Sequence, residues 1–119
     1  MSPTQDSDFP PVGEVRGFQE AIERLYGERD QARGVDGTFV WFVEEVGELA
    51  RALKGDDPVN LREEFADVYA WLSTLASLAG VDMAEAVRKY EGGCPRCHEA
   101  PCTCPRKRSQ RSSQPDPGQ

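Results

Sequence analysis

The sequence predicts an all-α fold: a four-helix antiparallel bundle over residues 14–92, unstructured tails at 1–13 and 105–119, and a small cysteine knuckle at 93–104. Three observations carry this expectation. Apolar residues recur at three- and four-residue intervals in separate stretches, no stretch alternates apolar and polar residues with a period of two, and the breaks between stretches are short.

In chain order, Val15, Phe18, Ile22 and Leu25 form one stripe on a first helix that fades near Arg33. Gly34 and Gly37 interrupt it, and Thr38 stands where it can cap a second helix running to about Lys54. Gly55-Asp56-Asp57-Pro58 reads as a stop followed by a start, with Asp57 as the cap and Pro58 at the first helical position. The third helix then runs to about Ala79, before Gly80, and its core stripe is expected to be Leu61, Phe65, Val68, Leu72 and Leu75. Asp82 with Glu85 makes an acidic capping box for a short fourth helix ending at Gly92-Gly93. Residues 1–13 are rich in Pro, Ser and Asp, and residues 105–119 hold Pro, Ser, Gln, Lys and Arg with no large apolar side chain, so neither end can build a core. The remainder is small enough that a bound metal and a second subunit are expected to add stability.

The net charge of the 119 residues is −7, unevenly placed. Residues 1–93 hold 19 acids and 9 bases, whereas 105–119 carries Arg106, Lys107, Arg108 and Arg111 against Asp116. An acidic body argues against a nucleic-acid-binding surface on the folded part, and the basic tail reads as a solvated extension. No apolar run approaches the roughly 20 residues a membrane helix needs, and no charged-then-apolar leader opens the sequence, so a cytoplasmic protein is expected. Thiols stay reduced in that compartment, and four clustered cysteines then point to metal before disulfide.

Two acidic stretches, Glu44-Glu45-Val46-Gly47-Glu48 and Glu63-Glu64-Phe65-Ala66-Asp67, carry the chemistry. At about 100° per residue, Glu45 with Glu48 and Glu64 with Asp67 each share one helical face. Glu64 falls at the edge of the third helix's apolar stripe, and Asp67 shares a face with Trp71. On the second helix, the arc of Phe42, Val46, Leu49 and Leu53 leaves Glu45 and Glu48 on a flank with Trp41 and Ala52. Acids that border a core repel one another and lose hydration, so a cation must neutralise them. Oxygen-only ligands suit Mg²⁺ or Mn²⁺ better than zinc, and leave positions for phosphate oxygens.

These residues resemble the paired EExxE and ExxD motifs of the MazG-like, all-α nucleoside triphosphate pyrophosphohydrolases, with the similarity running from about Phe18 to Tyr90. The resemblance implies Mg²⁺ held by Glu45, Glu48, Glu64 and Asp67, and hydrolysis of a nucleoside triphosphate to the monophosphate and pyrophosphate, in the service of nucleotide-pool sanitation. It implies Glu45 or Glu48 as proton acceptor, while Glu44 either positions the attacking water or is solvated, and Glu63 reads as surface. It implies Lys54 near the phosphates, with Lys89 and Arg88 as further candidates, and Trp71 near the base, with Trp41 beside the acids. Relatives form homodimers or dimers of dimers, and that is the assembly expected here. Two other readings stay open: a non-catalytic helical dimer acting as an adaptor, and a pyrophosphohydrolase of phosphoribosyl-ATP.

Cys94, Cys97, Cys102 and Cys104 fall within eleven positions, with Pro95 and Pro101 promoting tight turns, and can surround a tetrahedral ion. Zn²⁺ is the expected occupant; His98 could replace one thiolate, and an iron–sulfur cluster or a redox dithiol are the other uses of such a set. The Gly-Gly-Cys-Pro-x-Cys ending is similar to that of one branch of small MazG-like proteins. A structural role follows, in pinning the fourth helix or a subunit contact.

Overall fold

A computed structural model of the chain describes residues 12–106. Its helices are α1 (Val12–Lys54), α2 (Pro58–Leu78) and the one-turn α3 (Met83–Ala86), followed by a 3₁₀ turn (Val87–Tyr90), with no strand among the described residues. The all-α expectation holds, while the described helices do not clearly make a four-helix bundle. The first and second helices expected from the sequence are the two arms of α1, which meet at a kink where Gly34 leaves helical geometry at φ 82°, ψ 175°. The fourth helix is reduced to α3 and its 3₁₀ turn.

The bend has a local cause on both sides. Arg33 Nη1 donates to Asp30 Oδ1 at 3.0 Å and reaches past Gly34 to Thr38 Oγ1 at 3.1 Å. Thr38 does not cap the second arm; it lies inside that arm, its side chain fully buried and accepting from Arg33 across the kink. Gly37 is needed for room, since a Cβ there would stand 2.9 Å from Arg33 Cγ.

The other helix ends follow the sequence closely. Asp57 Oδ1 accepts from the amides of Val59 at 3.0 Å and Asn60 at 3.2 Å, satisfying donors the first turn leaves open, and Pro58 follows it. After Leu78 the Val81 amide returns to the Ala76 carbonyl at 2.8 Å, closing α2 around Gly80. Asp82 caps α3 through the Ala84 amide at 3.0 Å. Glu85 lies 3.8 Å from Arg16, which also grips Asp82 at 2.9 Å.

α2 packs against both arms of α1. Phe18 stacks on Tyr69 with centroids 4.7 Å apart, and Trp41 stacks on Trp71 at 6.3 Å. The Gln19 amide joins three elements, donating to Ser77 Oγ at 3.0 Å and the Val81 carbonyl at 2.9 Å and accepting from the Met83 amide at 2.9 Å. The buried apolar side chains are few and small: Ile22, Ala52, Ala76 and Ala84. The core stripe expected on α2 is corrected accordingly. Ser73, Thr74 and Ala76 are its buried positions, while Phe65, at 53% exposure, and Leu72 face outward because no further long helix among the described residues covers that side.

The chain forms two compact units, one ending at Arg88 and the other beginning at Lys89. Val12 and Gly13, expected in the N-terminal tail, already belong to α1. The rest of that tail, and the basic tail beyond Arg106, lie outside the described residues. No described helix is long and apolar enough to cross a membrane.

Candidate functional site

Glu45, on the second arm of α1, meets Glu64 and Asp67 on α2, and a carboxylate oxygen from each lies within 4.8 Å of the others. The i, i+3 spacing puts Glu64 and Asp67 on one face of α2, and the antiparallel return after Asp57 brings that face to Glu45. Two full negative charges at such a separation repel by about 3 kcal/mol at an effective dielectric near 20. Glu45 registers this: burial, then the charges of Asp67 and Glu64, hold its pKa above the ordinary carboxylate value. Glu64 Oε1 is buried with no hydrogen-bond partner.

The sequence assigns Glu48 to the same cluster, and the structure turns it elsewhere. Its carboxylate pairs with Arg51 one turn on, at 2.8 Å, although its charge still acts on Glu45. Both partners are substantially exposed, so the pair is worth less than about 1 kcal/mol and does not fix Glu48 firmly. Glu44 borders a shallow groove lined also by Phe39, Val40, Val43, Gly47 and Arg51, and Glu63 is exposed.

Asp67 also lines a cleft of about 330 Å³, formed with Ile22, Tyr26, Arg29, Asp30, Arg33, Ala70, Trp71 and Thr74. Its walls are organised around Asp30, which is buried at 5% exposure and accepts from both Arg33 and, at 3.2 Å, Thr74 Oγ1. The Arg33 guanidinium sits 4.9 Å from the centroid of Trp71, a cation–π contact, and Trp41 stacks behind Trp71. A second cleft of about 420 Å³ shares Ile22, Asp30 and Thr74 but contains none of the clustered acids.

Of the residues the sequence offers for substrate, Trp71 lines the cleft beside the acids and Trp41 supports it. Lys54 is exposed in the last turn of α1 and is not among the cleft-lining residues. Lys89 lies in the second unit, with its Nζ 5.2 Å from the Tyr90 ring. The cations that do line the cleft, Arg29 and Arg33, were missed by sequence reasoning. Their one available signal was their spacing of one helical turn immediately before Gly34.

The four cysteine sulfurs form a separate cluster, all within 4.8 Å of one another, and none is in a disulfide. Cys94 Sγ lies 3.7 Å from Cys104 Sγ, and Cys97 Sγ lies 3.8 Å from Cys102 Sγ. Amides of Arg96, Thr103 and Cys104 point at the sulfurs of Cys94, Cys97 and Cys102 at 3.4, 3.3 and 3.3 Å. Hydrogen bonds from the backbone of Thr103 and Glu99 pull Cys97 down to about 5, while hydrogen bonding to Cys102, together with burial, pushes Cys104 up to about 12. His98 is not part of this set; it takes a left-handed φ of 64° and its amide donates to the Cys94 carbonyl at 2.7 Å.

The family model described as the MazG nucleotide pyrophosphohydrolase domain matches residues 34–98, more than half of the 119 residues. The matched stretch contains the second arm of α1 with Glu45, and all of α2 with Glu64 and Asp67. It begins at the bend, so Arg29 and Arg33 precede it. A comparison with curated proteins finds no match.

Proposed function

The chain belongs to the MazG nucleotide pyrophosphohydrolase family, and from that premise we propose that it hydrolyses a nucleoside triphosphate to the monophosphate and pyrophosphate with Mg²⁺ held by Glu45, Glu64 and Asp67. The observation that carries this reading is the buried, unpartnered Oε1 of Glu64 inside a cluster of like charges. A buried carboxylate oxygen without a donor costs roughly 1–3 kcal/mol or more, and a hard cation is the partner that oxygen-only ligands select. Glu48, loosely held by Arg51, is one turn from Glu45 and free to swing in as a fourth ligand.

Held by Glu45, Glu64 and Asp67, divalent ions would supply the positive charge that neutralises a polyphosphate and favours in-line attack by water. The chain's own groups divide the remaining work. Arg29 and Arg33 bring positive charge to the cleft that Asp67 borders, suited to the anionic phosphates. Trp71, backed by Trp41, presents an aromatic surface in the same cleft for the base. The cleft's volume of about 330 Å³ lies within the roughly 300–1,000 Å³ typical of small-molecule sites.

A panel of ribo- and deoxyribonucleoside triphosphates, with phosphoribosyl-ATP included, assayed with Mg²⁺ for pyrophosphate release tests the reading. Glu64→Gln and Asp67→Asn are each expected to lower turnover at least ~100-fold, the scale of a lost metal contact, with helix content by circular dichroism unchanged. Undiminished turnover in either variant overturns the assignment. Assembly belongs to the same proposal: the outward-facing Phe39, Val40, Val43 and Phe65 support a homodimer or a dimer of dimers, since a solitary chain would leave them in water.

A further inference from the structure

We propose that Cys94, Cys97, Cys102 and Cys104 bind one Zn²⁺ as a tetrathiolate, and that this ion is the core of the segment that follows the helices. The spacing of the sulfurs is the first ground. Four thiolates placed tetrahedrally about an ion at about 2.3 Å must stand about 3.8 Å from each other along every edge. The Cys94–Cys104 and Cys97–Cys102 separations are 3.7 and 3.8 Å, and every other pair is within 4.8 Å. A cluster of several irons distributes its thiolates over separate metal atoms and holds them farther apart, so one mononuclear ion fits the set.

The second ground is the backbone, which is shaped around the sulfurs. Three of the four accept an amide, the arrangement that stabilises a bound thiolate's charge. The turn is closed by paired backbone bonds, Cys94 amide to Glu99 carbonyl at 3.0 Å and His98 amide to Cys94 carbonyl at 2.7 Å. Gly93, at φ 107°, permits this closure; a Cβ would meet the Glu99 carbonyl oxygen at 3.0 Å and the His98 carbonyl carbon at 3.1 Å.

The third ground is the lack of any other core. Among the described residues from Lys89 to Arg106, no apolar side chain is buried. A segment that cannot bury apolar surface needs a cross-link to hold defined turns, and a structural zinc supplies one. With four thiolates the site carries a net charge of about −2, which the three amides offset in part.

The test uses the full chain, expressed with zinc, purified without chelator and analysed for metals by mass spectrometry. About one zinc per chain is expected, falling below ~0.1 in Cys97→Ser/Cys102→Ser while α-helical circular dichroism persists. Titrating the four thiols of the unaltered protein with a mercurial should release that zinc stoichiometrically to a metallochromic dye, which keeps the test valid should the variant fail to fold. Zinc retained by Glu64→Gln separates this ion from the carboxylate cluster. Stoichiometric iron instead of zinc, disulfides detected by intact mass, or four thiols freely reactive in a metal-free, natively folded protein would each overturn the proposal.

Discussion

Glu45 is the carboxylate whose surroundings most oppose its charge: burial acts first, then the negative neighbours Asp67, Glu64 and Glu48. Its folded pKa lies above its unfolded value of about 4.5, so its contribution to stability is full below 4.5 and is lost as pH rises through the elevated folded value. The metal-free protein is therefore expected to melt at progressively higher temperature as pH is lowered from neutrality toward that window, and saturating Mg²⁺ should flatten the trend by neutralising the cluster at high pH. Differential scanning calorimetry in chelator and in Mg²⁺ checks this; parallel curves would exclude Glu45 from the cation site. The acids were legible in the sequence because their i, i+3 spacing fixes a face irrespective of context. Glu48's partner was not, since Arg51 sits at the same spacing and competes through a weak surface contact that only coordinates resolve. Arg29 and Arg33 stayed hidden for a related reason: charges near a helix end are commonplace, and it takes the packing of Trp71 and Asp30 to single these out.

Among the elements, the two arms of α1 depend on two glycines, Gly34 and Gly37. Gly34 occupies a backbone region, φ 82° with ψ 175°, that is essentially closed to residues bearing a Cβ. Gly34→Ala is expected to cost about 1–3 kcal/mol in chemical denaturation and to weaken nucleotide binding, because Arg33 and Thr38 would lose their alignment across the bend. Unaltered stability would mean that the bend is not strained by a side chain. The interruption was legible in the sequence because a Gly pair breaks a helical pattern, whereas the Arg33 bond to Thr38 that joins the two arms across it was not. Asp57, Pro58 and Asp82 were readable because capping is settled within three residues of the cap itself.

For the molecule as a whole, the mismatch between its apolar content and its buried interior governs behaviour. Leu25, Val40 and Leu53 are 67%, 60% and 58% exposed, surface that a second chain would cover in the assembly proposed above. Sedimentation equilibrium is expected to return at least twice the 13.2 kDa of a single chain, and Val40→Glu with Val43→Glu should shift it toward the single-chain mass. A monodisperse single chain before mutation would remove the assembly proposal. The expected stripe on α2 failed because periodicity marks which residues favour burial without saying whether anything covers them.

The bend at Gly34 also divides these charged groups along the polypeptide: Arg29 and Arg33 come before it, while Glu45, Glu64 and Asp67 come after. On the reading proposed above, the cations that would meet the phosphates and the acids that would hold metal therefore stand on opposite sides of one flexure, and the backbone at Gly34 sets their separation.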